Sequence, residues 1–349
     1  MHNPETPPDP PAEPALDTEA PADAPRVGGG KVDLALGVLN GVVGDYLHAN
    51  DNGLAISMAL HHEGTPVALT REALQRAYPR ATGRLALWVH GLAVTESIWA
   101  FPGDATRTYG AMLERDAGLT PLYLRYNTGL HVSENGAALA RLLETLVTEF
   151  PVPIEELVLV GYSMGGLVVR SACHVAARDT LTWLSYAQRA LYLGVPHLGS
   201  PLERVGSVVS WVLRTIPNAY TRLVADVADL RSNGVKDMGY ANLLSEDWQG
   251  ADPNVPLQNR RHPVPLLPTI AHHLIAGALS SDERNWVSLL FGDGIVPVSS
   301  ATGRAKPEDR SPVFPQENVK VVSAIDHVAI AHHEQVYVLI REWFAPEAP

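Results

Sequence analysis

Gly161-Tyr162-Ser163-Met164-Gly165-Gly166 sets a serine at the centre of a G-x-S-x-G pattern. The apolar run Leu157-Val158-Leu159-Val160 before it reads as a strand, and Gly165 to Ala177 after it as a helix. In that context the pattern forms a nucleophile elbow, a strained turn that presents the serine hydroxyl at the edge of a sheet. The glycines on either side keep strand and helix from colliding. A serine hydroxyl is a weak nucleophile at neutral pH, so it requires a histidine base, and the imidazole requires a carboxylate to fix its tautomer. The chemistry this predicts is attack on an acyl carbonyl.

Both partners are expected downstream, in the order serine, acid, histidine. The chain holds 14 histidines, so position has to choose among them. His327 follows the apolar run Val319 to Ala324, within Ile325-Asp326-His327-Val328, where a loop residue can reach back over the elbow. His332 and His333 lie farther on, near the first turn of a closing helix, and suit solvent or a helix cap. For the acid, Asp293 sits in Gly292-Asp293-Gly294-Ile295-Val296-Pro297, with glycines on both sides to permit a tight turn. Asp282, nearer the end of the preceding strand, and Asp326, beside the histidine, are the alternatives. The oxyanion of a tetrahedral intermediate needs donors. One is expected from the backbone N–H of Met164, and the other from Leu92 in Trp88-Val89-His90-Gly91-Leu92, with Gly91 and Ala93 as near alternatives. His90 reads as fixing that loop rather than as a catalytic group.

The elements that position these residues follow from hydrophobic spacing. Val32 to Leu47 has apolar residues three and four apart and predicts an amphipathic helix. The runs Leu54 to Leu60 and Pro66 to Leu69 predict a hairpin with His61 to Thr65 as its loop. Leu85 to Val89 and Pro121 to Tyr126 read as buried strands, with a helix over Thr106 to Glu114 between them. Glu134 to Phe150 predicts an amphipathic helix, and Ala190 to Val195 a strand beyond the elbow. Strands apolar on both faces, alternating with helices, predict an α/β fold with a mostly parallel central sheet flanked by helices. Residues 199–268 read as an insertion carrying an apolar helical stripe (Val205, Val208, Val209, Val212, Leu213, Ile216) and Trp211. Strands are expected again at His273 to Leu279 and Val319 to Ala324, and a helix at Glu334 to Phe344.

These motifs resemble the α/β-hydrolase superfamily, in its lipase and esterase branch. The residues that carry the likeness are His90-Gly91, the elbow at 161–166, Gly292-Asp293-Gly294, His327 and Gly194-Val195-Pro196-His197-Leu198-Gly199-Ser200. The last is similar to the Gly-Thr-Pro-His-x-Gly-Ser run of lipases, GPI inositol-deacylase-like proteins and the lecithin-cholesterol acyltransferase-like group, with Val195 where threonine is usual. The resemblance spans residues 84–345 and implies Ser163 as nucleophile, Asp293 as orienting acid and His327 as base. It also implies a cap or lid at 199–268, which either covers an acyl-binding groove or packs as an extra helix on the body. The activity expected is a serine carboxylic-ester hydrolase, with medium or long acyl chains favoured. Acyl transfer and thioester hydrolysis share the acyl-enzyme chemistry, and a catalytically silent binding protein is the reading from another class. Dehalogenases and epoxide hydrolases are disfavoured, since they present an aspartate where this chain has Ser163.

Composition bounds the partners. Of 349 residues, 46% are hydrophobic and 18% charged, which suits a large core. Lys and Arg number 26 against 38 Asp and Glu, for a net charge of -12. Such a chain lacks the basic footprint for nucleic acid, and the expected partner is a small-molecule or lipid ester. A single cysteine, Cys173, excludes an internal disulfide and reads as packing. Residues 1–30 form an acidic, proline-rich tail expected to be disordered, and 31–349 the hydrolase domain. The tail shows no secretory pattern, and no apolar run is long enough to span a bilayer, so a cytoplasmic setting is expected. The pairs His61-His62, His272-His273 and His332-His333 lack a His-Glu-x-x-His pattern, and no metal or cofactor is expected.

Overall fold

Strands with apolar side chains on both faces must be covered on both sides. The computed structural model describes residues 30–200, 232–250, 261–280, 293–303 and 312–345. The acidic segment up to residue 29, the stripe from Val205 to Ile216, Asp282 and Gly292 lie outside them. In chain order the strands are β1 (Ala59–His62), β2 (Thr65–Val67), β3 (Arg84–Val89), β4 (Ala100–Phe101), β5 (Asp104–Thr108), β6 (Thr120–Arg125), β7 (Glu156–Tyr162), β8 (Ala187–Leu193), β9 (Ala271–Ala278) and β10 (Val319–Ser323). Eight of them form one sheet, ordered β10, β9, β8, β7, β3, β6, β1, β2. Neighbours from β10 through β6 run parallel, and β1 is antiparallel to both β6 and β2.

The helices are α1 (Lys31–Ala49), α2 (Arg71–Ala77), α3 (Tyr109–Ala117), α4 (Val132–Glu149) and α5 (Met164–Asp179), followed by Asn233–Tyr240, Val298–Ala301 and Glu334–Glu342. Side chains alternate across a strand. Leu85, Leu87 and Val89 of β3 therefore join Leu157 and Leu159 of β7 in the core beneath α4 and α5. Ala86, Trp88, Val158 and Val160 face the other way, into a second core closed by α3 and the helix Glu334–Glu342. Cys173 is buried in the first core, which pushes its thiol up to about 12 and leaves it inert. No helix among the described residues is long and apolar enough to cross a membrane.

The expected elements differ from the observed ones at the first hairpin, whose first strand begins at Ala59 rather than Leu54, and at the start of α3. The first hairpin turns on two residues, Glu63 and Gly64, both at positive φ, so His61 and His62 belong to β1 rather than to its loop. Such a turn matches the right-handed twist of the strands it joins. The helix expected from Thr106 begins at Tyr109 instead, because Asp104 to Thr108 pairs with Ala100 and Phe101, and the Thr108 hydroxyl caps α3 by accepting from Ala111 N–H at 3.0 Å. Of the insertion 199–268, residues 199–200, 232–250 and 261–268 are described, and they carry the short helix Asn233–Tyr240.

Buried imidazoles tie stability to pH. Burial pushes His90, His272 and His273 down to about 4 from an ordinary 6.5. Between those values the unfolded chain binds protons at each that the folded chain refuses, so the free energy of unfolding, and with it stability, rises with pH across that window. The melting temperature is expected to start falling as pH drops through 6.5, above the range in which carboxylates titrate, and to keep falling to pH 4. A flat melting profile between pH 6.5 and 5 in a thermal-denaturation series would contradict this.

Candidate active site

The segments that follow five neighbouring strands, β3, β7, β8, β9 and β10, meet at the carboxyl edge of the sheet. Ser163 leaves β7 at φ 52 and ψ -126, a conformation L residues rarely adopt, and its N–H donates to Leu193 O at 2.9 Å. Such strain persists where the surroundings over-determine it. Here they do so through close backbone approach. A Cβ at Gly161 would collide with Gly166, and one at Gly165 with the carbonyls of Val89 and His90, so the first turn of α5 can lie directly on the ends of β7 and β3.

His327 lies in the loop after β10 and Asp293 in the segment between β9 and β10. The structure brings both to the serine. His327 Nε2 stands 2.9 Å from Ser163 Oγ, and His327 Nδ1 stands 2.7 Å from Asp293 Oδ2. All three are nearly fully buried, with 4% or less of their surface exposed. Asp293 is fixed through its other oxygen, which accepts the N–H of Ile295 at 3.1 Å and of Val296 at 2.8 Å. These bonds leave Oδ2 aimed at the imidazole. The loop backbones are tied as well, because His327 N–H donates to Asp293 O at 3.0 Å. Tyr162, next to Ser163, donates its hydroxyl to His327 O at 3.0 Å.

The alternative residues have other partners. Asp326 accepts the N–H of Ala329 and holds a short turn. His333 caps the closing helix by accepting from Gln335 N–H, and His332 Nδ1 bonds Ile98 O. Among the paired histidines, His61 lies against Glu96, His62 against the Tyr78 ring, His272 against Tyr192 and His273 against Trp343. Among the described residues no group of three or more His, Cys, Asp or Glu side chains gathers as a metal site would require.

The loop after β3 runs beside Ser163: a Cβ on Gly91 would stand 2.9 Å from Ser163 Cβ. Ala93 N–H donates to Thr128 Oγ1 at 3.2 Å, which removes it from the candidate oxyanion donors. The N–H groups of Leu92 and Met164 meet no acceptor among the described residues. His90 is buried and neutral. Its ring stacks on Tyr126, whose hydroxyl donates to His90 O at 2.8 Å.

The run Gly194 to Ser200 packs on the other side of the elbow, with Val195 against Gly166. Ser300 bridges this run to the acid loop, since its Oγ donates to Gly199 O at 2.6 Å and accepts from Leu198 N–H at 3.2 Å. Ser200 Oγ donates to Ile295 O at 2.7 Å. Tyr162, Thr128 and Ser300 were not singled out by spacing. Tyr162 carried a signal, as a phenol inside the elbow, whereas the other two reach the site only through the fold.

A mostly parallel eight-stranded sheet, with a strained serine between strand and helix and its partners on later strand ends, is the α/β-hydrolase fold. No family model matches the sequence, and no curated protein matches it. Among solved structures, the chain is similar to the mature form of a Bacillus licheniformis lipase, at 19% identity and a TM-score of 0.47, over 75% of this chain and 92% of that one. It is also similar to a Pyrococcus furiosus esterase, at 14% identity and a TM-score of 0.40, over 75% and 78% of the two chains. A type II thioesterase of a yersiniabactin biosynthetic pathway aligns at 13% identity and a TM-score of 0.42, over 76% and 92%.

Proposed function

We propose that the protein is a serine hydrolase of carboxylic esters in which Ser163 is the nucleophile, His327 the general base and Asp293 the group that orients it. The observation that carries this reading is the continuous line from Asp293 Oδ2 through the His327 ring to Ser163 Oγ, with contacts of 2.7 and 2.9 Å. As Oγ bonds to the carbonyl carbon, its proton passes to His327 Nε2, and the carbonyl oxygen takes the negative charge between the N–H groups of Leu92 and Met164. Collapse of the tetrahedral species breaks the ester C–O bond, and His327 returns the proton to the leaving alcohol. Water, deprotonated by the same imidazole, then cleaves the acyl-enzyme and restores Ser163. Asp293 holds Nδ1–H throughout, so Nε2 is free to accept.

Medium to long acyl chains are the favoured substrates, because the elbow and the Pro196-His197-Leu198-Gly199-Ser200 loop are lipase-like. The test is hydrolysis of p-nitrophenyl esters from acetate to palmitate. Turnover that rises toward the longer chains is the expected result. A maximum at acetate or butyrate would replace lipase by short-chain esterase. Hydrolysis of an acyl thioester without turnover of any oxygen ester would overturn the ester assignment.

A further inference from the structure

Helix α1 precedes the sheet and belongs to none of its strand-helix-strand units, yet it packs on the loop that carries Leu92. The contact is backbone to backbone. A Cβ on Gly41 would stand 2.6 Å from Ala93 Cα, and one on Gly37 would stand 2.9 Å from Thr95 Cγ2 and 3.1 Å from Val94. α1 therefore meets residues 93–95 at a distance that only glycine allows. Ala93 is a non-glycine residue at φ 60, held from the other side by Thr128 Oγ1. A left-handed angle at such a residue lasts only while its neighbours leave no room to relax. α1 is one of those neighbours.

A second link is electrostatic and independent of the first. Glu96, 1% exposed and just beyond the loop, takes Arg125 Nε at 2.7 Å and also binds Nη2. Arg125 extends its remaining nitrogen, Nη1, to Asp33 Oδ1 in the first turn of α1 at 2.8 Å. α1 is anchored at Gly41 itself as well, where Ser232 Oγ donates to Gly41 O at 2.7 Å. The loop is thus gripped at Ala93 and at Glu96, with the helix as the common support.

We propose that α1 is a brace for the oxyanion loop: Gly41 and Thr128 are positioning residues that hold Ala93 in its left-handed conformation, and thereby keep the Leu92 N–H aimed at the developing oxyanion. The inference rests on the hydrolase reading. It follows from peptide geometry, because relaxing φ of Ala93 reorients the segment that contains the Leu92 amide. Alanine is a better helix former than glycine, so Gly41→Ala harms the protein only through what the new Cβ meets. Thr128→Val keeps the volume nearly constant and removes the acceptor of Ala93 N–H.

The test compares full-length wild type, Gly41→Ala, Thr128→Val and the exposed α1 control Val32→Ala. The readouts are kcat and KM on p-nitrophenyl butyrate, the inhibition constant of an alkyl trifluoromethyl ketone, and the melting temperature. The ketone forms a tetrahedral adduct with serine, so its affinity reports the oxyanion donors separately from ester binding. A misaimed donor is expected to lower kcat by about 10- to 100-fold, short of the loss on deleting a donor outright. KM should stay nearly constant, and the inhibition constant should rise in proportion to the loss in kcat. Val32→Ala should behave as wild type. Variants that melt earlier yet keep kcat and inhibitor affinity would reduce α1 to a packing element and overturn the proposal. If Gly41→Ala does not fold, Thr128→Val decides by the same readouts. A wild type without Ser163-dependent turnover would fail at the hydrolase reading itself, which is a different result from an active wild type with indifferent variants.

Discussion

Ser163→Ala is expected to lower kcat on p-nitrophenyl esters by about a millionfold, with a melting temperature within about 4 °C of wild type. The loss is large because no other group can take over the covalent step. His327 Nε2 stands 2.9 Å from Oγ and has no second nucleophile to deprotonate among the described residues. What survives is binding and oxyanion stabilisation acting on adventitious water, which in serine proteases is the remainder when the nucleophile is removed. Stability should move little for a separate reason. The strain at φ 52 arises from carrying a Cβ, and alanine carries one too, so the substitution neither relieves nor adds to it. The variant loses one hydrogen bond to His327, a net contribution of about 1 kcal/mol. Steady-state rates on the freshly purified pair, together with thermal melts, check both halves. Retention of more than about one part in a thousand of the wild-type rate would remove Ser163 from the mechanism.

The strained elbow at Ser163 and the central strands were legible because their signals are local. A G-x-S-x-G run between an apolar strand and a helix needs only about 20 consecutive residues to be read, and the buried strands Leu85 to Val89 and Leu157 to Val160 declare themselves by composition. The hairpin at Asp104 to Thr108 was not legible, since Asp-Ala-Thr-Arg-Thr has no apolar alternation and its burial is shallow. That hairpin displaced the start of α3. The sequence favours Leu92 as the expected donor, but the partner that takes up Ala93 N–H, Thr128 Oγ1, lies 35 residues away, brought near by the end of β6, and could not be read. The role of α1 was hidden in the same way. Its apolar spacing announces a helix with a buried face; of the stripe Leu36, Leu39, Val43 and Leu47, the last three are buried and Leu36 is half-buried. Its glycines look like poor helix formers until the loop they admit is seen on the other side.

Asp293→Asn is expected to lower kcat by roughly 10⁴-fold with the protein folded and substrate affinity retained. The direction follows from which atoms the carboxylate uses. Oδ1 accepts the N–H groups of Ile295 and Val296, so in the amide this position must remain the carbonyl oxygen. The NH₂ then replaces Oδ2, 2.7 Å from His327 Nδ1, and it can only donate. A neutral imidazole that accepts at Nδ1 carries its proton on Nε2, and Nε2–H cannot take the proton of Ser163. The substitution thus leaves every backbone tie of the acid loop in place, including His327 N–H to Asp293 O, while inverting the tautomer of the base. Asp326→Asn supplies the contrast: its carboxylate holds Ala329 N–H at an exposed turn, so its kcat should stay within about twofold of wild type. Steady-state kinetics on both variants decide the matter. An unaffected Asp293→Asn would transfer the orienting role to another carboxylate, with Asp282 next to be replaced.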